Sequence, residues 1–70
     1  MAEVRAHITG TVWKIEVKLG DKVSSGDVVA ILESMKMEMP VEAESGGTIQ
    51  EIRVKEGQPV AEGDIIAVLG

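Results

Sequence analysis

Apolar and polar residues alternate over short stretches of this chain, and glycine separates one stretch from the next. Residues 15–18 and 52–55 show a period of two, which is typical of a strand with one buried face. The unbroken apolar runs 28–32 and 65–69 each follow a Gly-Asp pair and are too short for independent helices. The pattern therefore predicts an all-β domain without a helix.

The same pattern occurs twice in the chain. Residues 10–33 align without a gap on residues 47–70, and apolar, glycine and Gly-Asp positions coincide throughout. Each copy reads as strand, turn, short extended segment, turn and strand, and neither copy can cover its own apolar face. We therefore expect the two copies to pack around a pseudo-two-fold axis as a flattened barrel or sandwich of two antiparallel sheets, within a single domain of residues 1–70.

Glycine and proline predict where the strands end. The Gly-Asp pairs that begin at Gly20, Gly26 and Gly63 mark reversals that require a positive φ. Pro59 has no N–H to donate to a central ladder, so we expect it in a turn or on an edge strand.

Composition excludes several classes of partner. The chain has 70 residues, no cysteine, and 12 Asp and Glu against 7 Lys and Arg, a formal net charge of −5. Its basic residues are scattered, so we expect neither nucleic acid nor membrane as a partner. No targeting or membrane-spanning segment is apparent, and His7 has no acidic or cysteine neighbours at ligand spacing. We expect a cytoplasmic protein without a metal site.

The segment between the copies has the most unusual composition in the chain. Met35, Met37 and Met39 surround Lys36 directly after a predicted buried strand, and the chain is expected to reverse at Met35 and Lys36. A tight hairpin favours Asn-Gly, because both turn residues need a positive φ. Residues that break this rule tend to lie at functional or strained sites, although on this pattern alone an exposed hairpin lysine is more often an ordinary solvated residue.

A family resemblance is carried by the sequence around this lysine. The run Glu-Ser-Met-Lys-Met at 33–37, with Gly-Asp-Val-Val-Ala-Ile-Leu before it and Ser-Gly-Gly-Thr-Ile after it, resembles the biotinyl domain of biotin carboxyl carrier proteins and of short biotin/lipoyl attachment proteins. The similarity extends from about Val4 to Leu69. In that family the lysine accepts biotin at the tip of a hairpin, in a flattened barrel (hammerhead) of two four-stranded antiparallel sheets. The resemblance therefore implies that Lys36 is the residue of covalent biotin attachment.

The resemblance also implies partners and a carrier role without catalysis. A separate biotin protein ligase would load Lys36, and the biotin would then serve the biotin carboxylase and carboxyltransferase subunits of a multi-subunit carboxylase. A lysine amine is mostly protonated near neutral pH, so we do not expect the carrier to load itself; the resemblance implies that the ligase supplies an activated biotinyl adenylate. We expect a monomer. Ligase and partner recognition is expected from residues next to the lysine, namely Glu33, Ser34, Met35, Met37 and Glu38.

Two other interpretations remain open. A lipoyl carrier of the 2-oxo acid dehydrogenase or glycine cleavage type shares the fold, the duplication and the lysine placement. Its tip usually reads Asp-Lys followed by a small residue, whereas Met35 and Met37 bracket Lys36 here, which favours biotin over lipoate. The second is a β-scaffold interaction module whose lysine is never modified.

Overall fold

Residues 2–70 form eight β-strands and no helix in a computed structural model of the chain. The strands are β1 (Ala2–Arg5), β2 (Gly10–Ile15), β3 (Lys22–Val23), β4 (Val28–Ser34), β5 (Met37–Glu42), β6 (Gly47–Ile52), β7 (Pro59–Val60) and β8 (Ile65–Leu69). Over this described part, nothing has the helical length and apolar character required to cross a bilayer.

The strands form two four-stranded antiparallel sheets, so the predicted fold class is confirmed. The strand orders are β1-β8-β6-β3 and β5-β4-β2-β7. Each sheet mixes strands from both copies of the repeat: β4 and β2 of the first copy lie between β5 and β7, which belong to the second half of the chain. Neither half therefore contains a complete sheet of its own, and we expect the two halves to fold together.

The repeat is longer in the structure than the one read from the sequence. The backbone N–H of Ala6 donates to the carbonyl of Asp64 at 2.8 Å, and the N–H of Ala43 donates to the carbonyl of Asp27 at 2.9 Å. Strands β1 and β5 thus occupy equivalent places before the aligned segments. The sequence hides this equivalence because the exposed residues of the two strands differ and only small buried residues match.

The core lies between the sheets and consists of aliphatic side chains. No polar or charged side chain of the described residues is buried. Burying one such aliphatic side chain stabilises the fold by about 1.5–3 kcal/mol relative to exposure. The largest fully buried side chains fall into three pairs at equivalent positions of the repeat: Val12 and Ile49, Val29 and Ile66, and Leu32 and Leu69.

The predicted strands at 15–18 and 52–55 are wrong in their extent. Strand β2 ends at Ile15 and β6 ends at Ile52. Beyond Ile15, only the bond from the Glu16 N–H to the Val29 carbonyl, at 2.9 Å, continues toward β4. The chain then leaves the ladder for a turn that bonds to the opposite sheet, where the Gly20 N–H donates to the Ile49 carbonyl at 2.8 Å. The alternation was real, but it marked an extended segment rather than a strand.

The predicted reversals are confirmed. Gly20, Gly26 and Gly63 have φ values of 89°, 93° and 93°. The aspartate after each glycine holds the turn: the carboxylate of Asp27, for example, accepts a hydrogen bond from the Ser24 N–H at 2.8 Å. Pro59 lies in β7 at the edge of its sheet, as its missing N–H requires.

Candidate functional site

Strands β4 and β5 are joined by a turn of two residues, Met35 and Lys36. Ser34 pairs with Met37 and Glu33 pairs with Glu38 across the hairpin. The φ values of Met35 and Lys36 are 53° and 64°, and positive φ at both central residues is the signature of a type I′ turn. The chain therefore reverses at the two residues predicted from the sequence.

The local sequence opposes this turn. A residue with a Cβ loses roughly 1–2 kcal/mol in the left-handed region, and this turn holds two such residues without a glycine. Glu33 and Glu38 lie directly opposite each other, and like charges in a cross-strand pair are destabilising. The β4–β5 ladder, which extends from Ser34 back to Val28, must offset these costs, so the sheet imposes the turn.

The side chains around Lys36 project into solvent. Met35 is 91% exposed and Met37 is 59% exposed, and Lys36, Glu33 and Glu38 are also exposed. Ser34 is half-buried at the base of the turn. Neither methionine is packed into the end of the barrel, so two flexible apolar side chains and one amine are presented together.

The Lys36 amine has no ion-pair partner within residues 2–70. The ion pairs of this part of the chain join Arg5 to Glu3 at 2.6 Å, Lys14 to Glu16 at 3.6 Å, and Arg53 to Glu51. Although Glu33 and Glu38 are close in the hairpin, neither holds the ammonium group. The amine can therefore react without first breaking an ion pair.

The Met35-Lys36 turn projects into solvent at the end of the hairpin. Two grooves on the described surface do not include the turn: one is lined by the far end of β5 and the segment after it together with Arg5, His7 and Ser25, and the other includes Arg53 and Asp64. A small molecule held without a covalent bond needs a concave site, whereas an exposed turn suits a group that is bonded to one of its side chains.

The hairpin has no counterpart in the second half of the repeat. The pairing of Leu32 with Met39 in the hairpin corresponds to the pairing of Leu69 with Ala2. At that second position no turn connects the two strands, because Ala2 and Leu69 lie near opposite ends of the chain. Lys36 is thus singular in the fold as well as in the sequence.

Gly10 belongs to this site, although sequence reasoning did not select it. It lies at the start of β2, beneath the end of β4, and a Cβ at this position would meet the backbone of Glu33 and the side chain of Ser34. The sequence did align Gly10 with Gly47, which indicated that both positions require glycine. It did not show the physical reason for that requirement.

Comparison with known proteins agrees with this geometry. A family model described as "Biotin-requiring enzyme" matches residues 1–69. The chain belongs to the biotin/lipoyl attachment family. The resemblance inferred from residues 33–37 is therefore confirmed. Domains of this family are carriers rather than catalysts.

Two curated relatives are similar over part of their own length. A biotin/lipoyl attachment protein of Bacillus subtilis is 51% identical over 41 residues, which cover 59% of this chain and 56% of the relative. The biotinylated protein TB7.3 of Mycobacterium tuberculosis is 57% identical over 44 residues, which cover 61% of this chain and 62% of the relative. The matched region thus spans somewhat over half of each relative.

Solved structures contain the same fold inside much larger chains. The urea carboxylase of Kluyveromyces lactis matches with a TM-score of 0.92 and 39% identity, over 99% of this chain and 6% of that one. A single-chain, multi-domain long-chain acyl-CoA carboxylase matches with a TM-score of 0.87 and 29% identity, over 94% of this chain and 7% of that one. The two-sheet architecture described above is therefore that of domains found in carboxylases.

Proposed function

We propose that this chain is a biotin carrier, loaded on the ε-amine of Lys36 and serving a biotin-dependent carboxylase. The observation that carries the proposal is the placement of one unpaired, exposed amine at the apex of a turn that the sheet imposes on unfavourable residues. Similarity to the biotinylated protein TB7.3 and to domains of two carboxylases supports biotin as the group and a carboxylase as the partner.

The residues of the hairpin fit the attachment of an acyl group. The Lys36 Nζ, once deprotonated, attacks the acyl carbon of an activated donor such as a biotinyl adenylate. A C–N bond forms, the acyl C–O bond breaks, and AMP leaves with the electron pair of that bond. The amine proton is released to solvent or to a base of the ligase. Attached biotin supplies the ureido nitrogen that carries a carboxyl group. The product amide is uncharged, so attachment removes one positive charge from the hairpin.

Selection of Lys36 among the other lysines follows from position. A ligase that recognises a rigid turn can distinguish the amine that this turn presents at a fixed position and angle from the other lysine amines. Lys14, Lys18, Lys22 and Lys55 are also exposed, but none lies at the apex of a two-residue hairpin. We assign contacts with the ligase to the residues flanking the apex, namely Glu33, Ser34, Met35, Met37 and Glu38.

The carrier itself contributes reach and local concentration. A group tethered to the hairpin visits the active sites of a separate biotin carboxylase and carboxyltransferase at a high effective concentration. The exposed turn suits insertion into such sites. A monomeric, cytoplasmic protein is consistent with this role and remains our expectation.

Mass spectrometry of the intact protein tests the attachment. Co-expression with a biotin protein ligase is expected to add one biotinyl group to the wild type and none to Lys36→Arg, because arginine keeps the charge but offers no usable nucleophile. Lys55→Arg is the matched control and should be loaded like the wild type. Loading of Lys36→Arg, or an unmodified wild type, would contradict the proposal.

Lipoate is the second candidate, because the Bacillus subtilis relative is named for both groups. The same experiment with a lipoyl ligase separates the two, since the mass increments differ. If neither ligase modifies the chain, and streptavidin blotting of the native source detects other biotin proteins but nothing at this mass, the unmodified interaction module is the better interpretation.

A further inference from the structure

Gly10 and Gly47 occupy equivalent positions of the repeat, at the first residues of β2 and β6. Neither has a φ in the left-handed region, so an alanine could adopt the backbone conformation of either. The requirement for glycine is therefore spatial. A glycine in a strand often marks a place where another backbone approaches closely.

What each glycine approaches is different. A Cβ on Gly10 would fall well inside 3.0 Å of the Glu33 carbonyl oxygen, 3.2 Å from the Glu33 carbonyl carbon and 3.4 Å from the Ser34 Cβ. Glu33 and Ser34 form the last two positions of β4 before the turn. Backbone atoms cannot rotate away as a flexible side chain can, so the base of the hairpin or the start of β2 would have to move.

At Gly47 an added Cβ would make longer contacts than at Gly10. This Cβ would lie 3.0 Å from the Gly70 carbonyl oxygen and 3.2 Å from the Leu69 Cβ. Contacts of this length require shifts of only a few tenths of an ångström, and they involve Leu69 and Gly70, which are not part of the hairpin. The pseudo-two-fold repeat thus supplies two glycines at equivalent positions, of which only Gly10 lies against the hairpin that presents Lys36.

We propose that Gly10 is a positioning residue for the acylation of Lys36: by letting β2 lie directly against the Glu33–Ser34 backbone, it sets the height and tilt of the hairpin. This inference rests on the proposed function, since it concerns the presentation of Lys36 to the ligase. Displacing the base of a two-residue hairpin displaces its apex, and a misplacement of about 1 Å between reacting groups can cost a factor of about 100 in rate.

The test compares Gly10→Ala with Gly47→Ala as substrates of a biotin protein ligase. For Gly10→Ala we expect kcat to fall about tenfold to a hundredfold with a smaller change in KM, because the side chains flanking Lys36 remain available for binding. For Gly47→Ala we expect kcat within about twofold of the wild type, since a shift at Leu69 and Gly70, which are not part of the hairpin, leaves the nucleophile in place.

Acylation by a biotin N-hydroxysuccinimide ester in free solution provides the second measurement. This reagent needs an exposed amine but no defined orientation, so Lys36 should react at the same rate in the wild type and both variants. A parallel loss in this reaction would mean that the amine has become covered, and would overturn the positioning role.

Folding is measured alongside by urea denaturation. If Gly10→Ala is partly unfolded, the ligase assay is repeated in a stabilising osmolyte, which favours the folded state. A kcat that persists below the wild-type value in fully folded protein supports the proposal; recovery to the wild-type value, or equal losses in the two variants, overturns it. A wild type that no ligase modifies would instead refute the proposed function, so the two failures are distinguishable.

Discussion

Lys36 combines an exposed primary amine with a backbone conformation that lysine rarely adopts. Its φ of 64° places it in the left-handed region, where residues with a Cβ lose roughly 1–2 kcal/mol. Such outliers cluster at functional sites, where surrounding structure holds them in place. At the scale of single residues, the neighbouring methionines add to this picture because each exposes apolar surface without packing on the barrel.

Replacement of Met35 or Met37 by alanine tests whether these side chains contact the ligase. We expect each variant to lower the kcat/KM of ligation about tenfold, as loss of a moderately important interface contact does. The free energy of unfolding should change by no more than about 0.5 kcal/mol, since both side chains are exposed. Ligase kinetics and urea denaturation measure the two effects.

Leu19→Ala is the matched control for this experiment. Leu19 is also a large apolar residue, 66% exposed, but it lies in the turn before β3, outside the β4–β5 hairpin. Its replacement should leave ligation unchanged. An equal loss in this control would indicate a general effect of surface hydrophobicity, and normal kinetics in both methionine variants would remove them from the recognition surface.

At the scale of elements, the β4–β5 hairpin is held by its ladder against the preference of its turn. Its strands pair from Val28 with Glu42 up to Ser34 with Met37, while the turn residues and the facing Glu33 and Glu38 weaken it. A sequence selected only for stability would place Asn-Gly at the turn. The observed Met-Lys therefore indicates a cost in folding, which fits our proposal that Lys36 is the attachment residue.

The double variant Met35→Asn with Lys36→Gly is expected to be more stable than the wild type. Both new residues tolerate positive φ, so the free energy of unfolding should rise by about 1–2 kcal/mol, measured from urea denaturation. Lys36→Arg is the control, because it keeps a residue with a Cβ at the same φ and should give no gain. A double variant no more stable than this control would show that the turn is not strained.

At the scale of the whole molecule, the pseudo-two-fold repeat makes equivalent positions energetically comparable. Gly26 and Gly63 share a φ of 93°, with open space where a Cβ would be. The N–H of Gly26 donates to the Ala43 carbonyl at 2.8 Å, and the N–H of Gly63 donates to the Ala6 carbonyl at 2.8 Å. Because each sheet contains strands from both halves, a disturbance in either half should destabilise the entire fold.

Gly26→Ala and Gly63→Ala are therefore expected to reduce the free energy of unfolding by the same amount. We expect about 1 kcal/mol for each, since the cost of a left-handed alanine is partly offset by a less flexible unfolded chain, and an additive loss in the double variant. Urea denaturation should show a single transition in all three proteins. Costs that differ by more than about 1 kcal/mol, or two separate transitions, would contradict the equivalence of the halves.

The sequence by itself determined the strand-rich class, the duplication, the glycine reversals and the position of the Met35-Lys36 turn. Each of these depends on residues close together in the chain: alternation, Gly-Asp pairs, and a turn segment that interrupts a repeat. The family resemblance added the two four-stranded sheets, which the structure confirms, and the expectation that Lys36 is the attachment residue; local patterns alone would have specified neither.

Only the tertiary structure decided how the strands are shared between the sheets, why the chain leaves the ladder after Ile15, and what lies against Gly10. These features arise from pairing between segments far apart in sequence, such as Gly20 with Ile49. The tertiary structure also showed that β1 and β5 belong to the repeat and that both methionines beside Lys36 are exposed to solvent. A local pattern shows which residues prefer to be buried or to turn; the partner that each one meets depends on long-range packing.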